Sequence, residues 1–157
     1  MEHALLVMQW RNDPTTLSMF FHSDPKTMPD FFHEFVETYF MTTRCQPVFA
    51  VLGDERVAFL KFDHYKEYGD PQEYIVDVSI NVKPDCRGKG IGTKVLQNAL
   101  VYLRDSGVDG VVAEIKKENT ASIKSFTKAG FAFLDEQQKI LPSLPQRFHI
   151  VRLYKKL

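Results

Sequence analysis

The sequence Pro-Asp-Cys-Arg-Gly-Lys-Gly-Ile-Gly occupies residues 84–92 and carries the clearest signal in this chain. An apolar, strand-like run from Tyr74 to Val82 precedes it, and a helix-like run from Thr93 to Leu103 follows it. A glycine-rich turn between a strand and a helix leaves backbone N–H groups unpaired and aimed in one direction, where the positive end of the helix adds to their attraction for an anion. We therefore predict that this turn binds phosphate, with the pyrophosphate of a bulky cofactor as the expected ligand.

The spacing of the glycines separates this turn from two other phosphate-binding motifs. An ATP-binding P-loop has the form G-x-x-x-x-G-K-[S/T], and a dinucleotide-binding turn has the form G-x-G-x-x-G. Gly88, Gly90 and Gly92 fit neither form. The pattern from Arg87 to Gly92 is R-x-x-G-x-G, which resembles the acetyl-CoA loop of the GCN5-related N-acetyltransferase (GNAT) family. A tight strand-to-helix connection without a ligand is the alternative interpretation of these residues alone.

A second segment, residues 119–131, strengthens the resemblance. Its sequence runs from Asn119 through Ser122 and Phe126 to Phe131 and fits the family's pattern N-x-x-[A/S]-x-x-x-[Y/F]-x-x-x-G-F. The segment follows the glycine turn at the family's usual separation, with one short strand between the two. On these two motifs the chain is identified as a member of the family. The resemblance implies direct acetyl transfer from acetyl-CoA to a primary amine.

The resemblance also implies which residues contact acetyl-CoA. Arg87 is expected to hold the diphosphate by charge, with Lys89 at the rim, and the glycines let the phosphates approach the backbone closely. Backbone amides near residues 80–82 are expected to pair with the pantetheine arm and to polarise the thioester carbonyl. Asn119 has a second interpretation, as a helix N-cap. The predicted cofactor-binding residues are Ile80, Asn81, Val82, Arg87, Gly88, Lys89, Gly90, Ile91, Gly92, Thr93, Asn119, Ser122 and Phe126.

Asp77 is the predicted catalytic residue. Alternate side chains of a strand share a face, so Asp77 is expected on the same face as Asn81. Residues 77–84 resemble the family's E-I-G-x-x-[I/V]-x-P, which puts Asp77 where the family often has an acidic base acting through a water. Burial would raise the pKa of this carboxyl and suit it to that task. A hydrogen-bonded carboxylate at the sheet surface is the alternative, with Glu73 and His64 as reserve bases.

One residue departs from the family pattern. The tyrosine that often protonates the departing thiolate belongs at position 126, where this chain has Phe126. A phenyl ring has no proton to donate, so Phe126 is expected to pack along the pantetheine arm. The proton donor stays open between Ser125, Tyr154, water or none, because a thiol pKa near about 8.5 makes an acid helpful but not essential. The departure also leaves open a non-catalytic domain that senses acyl-CoA.

The N-terminal third is expected to shape the acceptor pocket. Residues 10–13, Trp-Arg-Asn-Asp, resemble the opening of a subgroup that includes nucleotide-sugar amine acetyltransferases, and also that of ribosomal-protein N-terminal acetyltransferases. Arg11 is predicted to meet an acceptor phosphate and Trp10 to stack on a sugar or base. A core tryptophan and a surface arginine are the alternative. The predicted acceptor is a small-molecule amine, such as a nucleotide-linked amino sugar, with a protein N-terminus as the second choice.

The composition is that of one globular domain, residues 1–157. Hydrophobic residues make up 44% of the chain, and twenty basic residues balance twenty acidic ones, so no strong overall field favours nucleic acid or an anionic membrane. Neither a run of about 18 apolar residues nor a secretory leader is visible. Cys45 and Cys86 form no C-x-x-C pair. We expect a cytoplasmic monomer or homodimer with no metal, no nucleic-acid partner and no membrane partner.

The predicted elements follow the order β-α-α-β-β-β-α-β-α-β-β. This is an α+β layout and matches the GNAT fold, with a mixed, mostly antiparallel sheet of six to seven strands and about four flanking helices. Ala4–Trp10 is predicted to be the first strand. Helices are predicted to begin at Asp13-Pro14 and near Thr27, and a hairpin is predicted to turn at Gly53-Asp54.

Overall fold

A computed structural model describes residues 1–41 and 44–157 of the chain. Over these residues it contains five α-helices and six strands, which confirms the predicted α+β class. In chain order the elements are α1 (Glu2–Arg11), α2 (Pro14–Met19), α3 (Met28–Thr38), β1 (Val48–Leu52), β2 (Glu55–His64), β3 (Ile75–Val82), α4 (Ile91–Asp105), β4 (Gly110–Lys116), α5 (Thr120–Lys128), β5 (Ala132–Ile140) and β6 (Arg147–Lys156).

The strands form one sheet in the order β1-β2-β3-β4-β6-β5. β3 and β4 are parallel, and the other neighbouring pairs are antiparallel. The predicted mixed, mostly antiparallel sheet is therefore confirmed, as is the hairpin, because Gly53 adopts φ +60° between β1 and β2. Among the helices of residues 1–41 and 44–157, none combines the length and the apolar character needed to cross a bilayer.

The two central parallel strands separate along their length. Residues 75–77 of β3 pair with residues 110–112 of β4, and the last pair is Asp77 with Val112. β3 continues to Val82 and β4 continues to Lys116 without further pairing between them. The sheet therefore opens into a V-shaped gap that begins at Asp77.

The strand predicted over Ala4–Trp10 was wrong, because these residues lie within α1. The run contains apolar residues in a pattern too short to separate a buried helix from a buried strand. The buried positions are Ala4, Val7, Trp10 and Arg11, spaced by three and one, which is one face of a helix and not alternate residues of a strand. The sheet accordingly has six strands in the described residues, and its first strand is β1.

Two hydrophobic clusters pack on the sheet. Leu60 and Phe62 of β2 join the larger cluster together with Leu96 of α4. Phe59, which directly precedes Leu60 in sequence, belongs to the second cluster together with Phe31 of α3. Because successive side chains of a strand point to opposite faces, the N-terminal helices and α4 lie on opposite sides of β2.

Side-chain caps fix the start of two helices that border the gap. The carboxylate of Asp13 accepts a hydrogen bond from the Thr16 N–H at 3.1 Å, and Pro14 occupies the first turn of α2. The side-chain oxygen of Asn119 accepts from the Ser122 N–H at 3.2 Å and starts α5. Both starts were predicted from the sequence.

Candidate active site

The glycine turn enters α4 with open space around it. Gly88 and Gly90 adopt φ +73° and +74°, in the left-handed region that favours glycine, and a Cβ built on either would meet no atom within 4 Å. Gly90 caps α4 without a side-chain hydrogen bond. The first N–H groups of a helix have no partner within it, so this turn presents free donors at the positive end of a 15-residue helix. The geometry fits a phosphate.

Gly92 has a different environment from the other two glycines. A Cβ at this position would lie 3.6 Å from Cγ2 of Val82 and 3.7 Å from the hydroxyl oxygen of Ser125, which is ordinary contact distance. Packing within the protein therefore does not require glycine here. The missing side chain instead keeps open the passage between β3 and α5.

A cleft of about 670 Å³ occupies the gap between β3 and β4 and reaches the glycine turn. It brings together all of the predicted cofactor residues except Lys89 and Ile91. The ammonium of Lys89 donates to the backbone oxygen of Asp85 at 2.8 Å. Ile91 packs against the larger hydrophobic cluster. The lining residues from the predicted set are Ile80, Asn81, Val82, Arg87, Gly88, Gly90, Gly92, Thr93, Asn119, Ser122 and Phe126.

Backbone groups of β3 also face the gap. The N–H of Lys83 donates to the backbone oxygen of Val57 on β2 at 2.9 Å. Backbone direction alternates along an antiparallel strand, so the N–H groups of Ile80 and Val82 point away from β2, toward the space that β4 has left, whereas that of Val78 still faces Val112 of β4 at the last pair. An extended amide-containing arm lying in the gap would find these donors in register.

The side chain of Arg87 forms contacts with other residues of the protein. Its guanidinium forms an ion pair with Asp13 at 2.6 Å, contacts the Thr16 hydroxyl, and donates to the Val82 backbone oxygen at 3.3 Å. The guanidinium holds the pKa of the Asp13 carboxyl below its ordinary value. Arg87 lines the cleft, and these contacts also join α2 to the glycine turn, while its contact with the diphosphate stays a prediction.

Asp77 lies in the cleft at the point where β3 and β4 separate. Burial raises the pKa of its carboxyl from 3.8 to about 7, and the nearby negative charge of Glu114 adds to this effect. The positive charge of Lys139 acts in the opposite direction, and Asp63 contributes a smaller increase. A carboxyl that titrates near neutral pH can take and return a proton under ordinary conditions.

A buried polar network beside Asp77 was missed by sequence analysis. Glu114 has only 6% of its side chain exposed, accepts a hydrogen bond from the Tyr65 hydroxyl at 2.8 Å, and pairs with Lys139. Arg152 donates to the Tyr65 hydroxyl at 3.0 Å and forms a two-point ion pair with Asp135. Glu114 is a charged residue within the apolar run of β4, and this position could have indicated a buried carboxylate. Its partners come from distant parts of the chain.

Residues of α2 and the segment after it line one side of the cleft, but Trp10 does not. This ring is 5% exposed and packs edge-on against Phe49 at 6.1 Å, so it belongs to the second hydrophobic cluster. The cleft is lined instead by Phe20, Phe21 and His22, the residues that follow α2. Arg11 lines a smaller adjoining cavity.

The other candidate proton donors and bases lie partly inside and partly outside the cleft. Ser125 lines the cleft, whereas Tyr154 packs against Gly110 and Tyr68 at the far end of the gap strands. His64 stacks on Tyr74 at 4.5 Å, away from the lining residues. Among the described residues, no group of three or more His, Cys, Asp or Glu side chains is placed to hold a metal ion.

Two curated relatives resemble part of the chain. The Bacillus subtilis protein named "Putative phosphinothricin acetyltransferase YwnH" is 36% identical over 94 residues, which are 57% of this chain and 56% of that protein. The L-amino acid N-acyltransferase MnaT of Escherichia coli is 31% identical over 81 residues, 48% of this chain and 47% of that protein. The chain thus spans about half the length of these relatives.

Two solved structures superpose on nearly the whole chain. The crystal structure described as that of "a putative phosphinothricin N-acetyltransferase" has 26% identity and a TM-score of 0.76, and covers 99% of this chain and 94% of that one. The aminoglycoside acetyltransferase AAC(6')-Ib in complex with coenzyme A has 18% identity and a TM-score of 0.78, and covers 99% and 90%. The second match shows the shared fold, and the neighbour itself binds coenzyme A.

A family model agrees with these likenesses. The model of the acetyltransferase (GNAT) family matches residues 6–131, a span that contains both the glycine turn and Asn119. The match covers most of the chain and includes the strands that form the gap. This chain belongs to the GNAT family of acetyltransferases.

Proposed function

We propose that this protein transfers the acetyl group of acetyl-CoA to a primary amine of a small molecule. The observation that carries the proposal is a single cleft. It runs from the phosphate-binding geometry at Gly88 and Gly90, along the free backbone donors of β3, to the half-buried carboxyl of Asp77. Cofactor binding, thioester placement and proton transfer would thus occur along one continuous channel.

The proposed roles follow from the demands of the reaction. The amine nitrogen must lose a proton before it bonds to the acetyl carbon, and the bond from that carbon to sulfur must then break. With a pKa near 7, Asp77 would accept the amine proton, directly or through a water. Backbone donors of β3 beyond Asp77 would stabilise the negative charge that develops on the thioester oxygen.

Among the described residues, those that line the cleft include no tyrosine that could protonate the departing sulfur. Phe126 lines the cleft, is 2% exposed, and offers only apolar contact. Ser125 also lines the cleft and is the nearest candidate donor in sequence. Because a thiol of pKa near about 8.5 is a tolerable leaving group near neutral pH, we propose that the thiolate leaves and takes its proton from water.

The acceptor is proposed to be small. The relatives described above are named for phosphinothricin and L-amino acids, and their names do not support the nucleotide-sugar or ribosomal-protein subgroup. The cleft also contains three residues in series, Phe20, Phe21 and His22, that border it on the α2 side. A protein N-terminus stays the second candidate until it is tested against small amines.

The test is release of free thiol from acetyl-CoA in the presence of an amine panel. The panel would contain L-amino acids, aminoglycosides, a nucleotide-linked amino sugar and a peptide with a free N-terminus. Stimulation by a small amine, lost in Asp77→Asn, supports the proposal. Preference for the peptide would favour the protein acceptor.

The same experiment tests the non-catalytic alternative that Phe126 leaves open. Calorimetry with acetyl-CoA would be run on the wild type and on Gly90→Glu, which places bulk and negative charge where the phosphate is expected. Tight binding to the wild type with no stimulation by any amine would favour an acyl-CoA sensor. Equal binding to both proteins would remove the glycine turn from the site.

A further inference from the structure

A second cavity, the Arg11 cavity, adjoins the cleft on its acceptor side. It has a volume of about 190 Å³ and lies between α1, α3 and the central strands. Phe20, Ser79, Ile80 and Asn81 line both the cavity and the cleft, so the two are neighbours across β3. Ser79 and Asn81 are two and four residues beyond Asp77, and alternation places all three on one face of the strand. A molecule in the Arg11 cavity would therefore lie on the same face of β3 as Asp77.

The cavity contains a buried cation with an unused donor. Arg11 is 8% exposed, and its Nη1 is buried with no hydrogen-bond partner among residues 1–41 and 44–157. Nη2 makes only a long hydrogen bond of 3.4 Å to the His22 backbone oxygen, while the guanidinium lies 5.2 Å from the centre of the Phe20 ring. Burying a charged donor without a partner reduces the free energy of unfolding by roughly several kcal/mol. A bound anion would offset this cost, so the arrangement suits ligand binding better than it suits the stability of the fold.

The other charges around the cavity are already paired. Lys61 forms an ion pair with Asp63 at 2.7 Å, and Glu34 forms one with Lys26 at 2.9 Å. Arg11 is therefore the charged group lining the cavity that retains an unsatisfied polar atom. The site has the electrostatic character of a receptor for one negative charge.

A second unsatisfied atom indicates that the ligand also carries a donor. Asn81 is 8% exposed, and its Oδ1 is buried without a hydrogen-bond partner in the described residues. Buried polar atoms are nearly always hydrogen-bonded in folded proteins, so an orphan donor and an orphan acceptor lining one cavity form a paired requirement. An anionic oxygen would satisfy Arg11, and an N–H would satisfy Asn81.

We infer that the Arg11 cavity binds a carboxylate of the acceptor through Arg11 Nη1, while Asn81 Oδ1 accepts a hydrogen bond from its amine. The acceptor would then be a carboxylate-bearing primary amine, of which an α-amino acid is the smallest common type. A carboxylate fits better than a phosphate, because Arg11 offers one positive charge with an unsatisfied donor and the second negative charge of a phosphate would be left without a partner. This inference rests on the proposed acetyl transfer and adds the chemistry by which the acceptor is chosen.

The test compares acceptors that carry the carboxylate with acceptors in which a neutral amide replaces it. Thiol release from acetyl-CoA would be measured with a set of L-amino acids, the matching L-amino acid amides, and phosphoethanolamine as the phosphate-bearing amine. We expect kcat/KM to be higher for the acids than for the amides by about 30-fold or more, as for loss of a charged hydrogen bond. Equal use of acids and amides, or preference for phosphoethanolamine, would overturn the inference while leaving acetyl transfer intact.

Variants assign the preference to Arg11. Arg11→Met keeps much of the contact with Phe20 and removes the charge, so it should abolish the preference for acids, raise their KM and leave the KM of acetyl-CoA unchanged. Arg104→Met is the matched control, because Arg104 is exposed near the far end of the 15-residue α4. A full preference for acids in Arg11→Met would disprove the assignment. If that variant does not fold, Arg11→Gln, which also removes the charge, is measured instead, and a full preference for acids there has the same meaning.

A binding measurement separates failure of this inference from failure of the proposed function. Calorimetry would titrate the same L-amino acids into the wild type and Arg11→Met without acetyl-CoA. If no amine stimulates thiol release, the proposed function fails. Arg11-dependent binding of the acids would even then support the carboxylate site, and its absence would overturn it.

Discussion

The guanidinium of Arg87 and the carboxylate of Asp13 lie 2.6 Å apart and join the glycine turn to the N-terminus of α2. The residues after α2, Phe20–His22, line one wall of the cleft. The ion pair therefore fixes the distance between the glycine turn and this wall of the cleft. Both side chains are partly shielded from solvent, which makes the pair stronger than an exposed one.

Asp13→Asn isolates the energy of this ion pair. Asparagine caps a helix about as well as aspartate, so the start of α2 is kept while the charge is lost. We expect the free energy of unfolding at pH 7 to fall by about 0.5–1 kcal/mol. The pKa of Asp13 is lower in the folded state than its ordinary value of 3.8. The charge of Asp13 therefore makes its full contribution to the free energy of unfolding above pH 3.8, and this contribution is lost as the pH falls through the folded pKa.

Urea unfolding of both proteins at pH 7 and at pH 2 checks this prediction. The difference between wild type and Asp13→Asn should shrink at pH 2. A difference that stays constant across this range would mean that the charge of Asp13 does not stabilise the fold.

Gly92→Ala should separate cofactor binding from stability. The added methyl group meets Val82 and Ser125 at ordinary contact distances, and alanine is the better helix former by up to about 1 kcal/mol. We expect an unchanged or higher free energy of unfolding and an acetyl-CoA affinity reduced about tenfold or more, because the methyl group narrows the passage beside β3. Calorimetry and urea unfolding give the two quantities.

Gly53→Ala is the matched control for that experiment. Gly53 has φ +60° in a hairpin remote from the cleft lining, so alanine should cost about 1 kcal/mol of stability and leave acetyl-CoA affinity as it is. If Gly92→Ala loses stability in the same way and keeps its affinity, the glycine serves the fold and not the ligand.

Asp77→Asn should lower kcat by about 100-fold and leave the KM of acetyl-CoA similar, because a base is removed while the phosphate site is kept. The wild-type rate should rise with pH through about 7, and this inflection should be absent from the variant. A wild-type pH–rate profile in Asp77→Asn would remove this residue from the mechanism.

The same substitution has an opposite effect on stability. The folded protein binds the Asp77 proton more tightly than the unfolded chain, with a pKa of about 7 against 3.8, so this residue reduces stability increasingly as the pH rises between these values. Asp77→Asn should therefore be more stable than the wild type at pH 8 by roughly 1–3 kcal/mol, and the gain should disappear near pH 4. Thermal unfolding at both pH values measures the difference.

Glu114→Gln should move the pH–rate profile to lower pH. The negative charge of Glu114 helps to raise the pKa of Asp77, and the amide would leave the positive charge of Lys139 without its partner beside that carboxyl. Glu136→Gln is the control, since Glu136 pairs with Lys117 at an exposed position. A profile that stays in place in Glu114→Gln would show that burial alone sets the pKa of Asp77.

The parts of the site that are local in sequence could be predicted, and the parts built across the fold could not. The glycine turn, the Asn119 cap and the face of β3 that carries Asp77 depend on neighbours within a few residues, and the structure has each of them. The partner of Arg87 lies 74 residues away. No spacing rule connects such a pair, so the sequence could not show that this cation is engaged.

The same reasoning explains the error at the N-terminus. Residues 4–10 contain enough apolar side chains for either a buried strand or a buried helix, and neither end carries a strong cap, as Met1 provides no side-chain hydrogen bond. Packing of Ala4 and Val7 against α3 and the sheet selects the helix over the strand, and this packing is a tertiary effect. The buried atoms of Arg11 and Asn81 were hidden for the same reason.

The separation of β3 from β4 leaves two half-sheets hinged at three residue pairs, with an unpaired strand border in the middle of the molecule. A ligand that lies along this border takes the place of a missing strand and bridges the halves. We therefore expect acetyl-CoA to slow amide hydrogen exchange at Ile80 and Val82 on one half-sheet and at Lys116 on the other, because these N–H groups face the gap. Slower exchange on both sides of the gap would show that the bound ligand joins the two half-sheets.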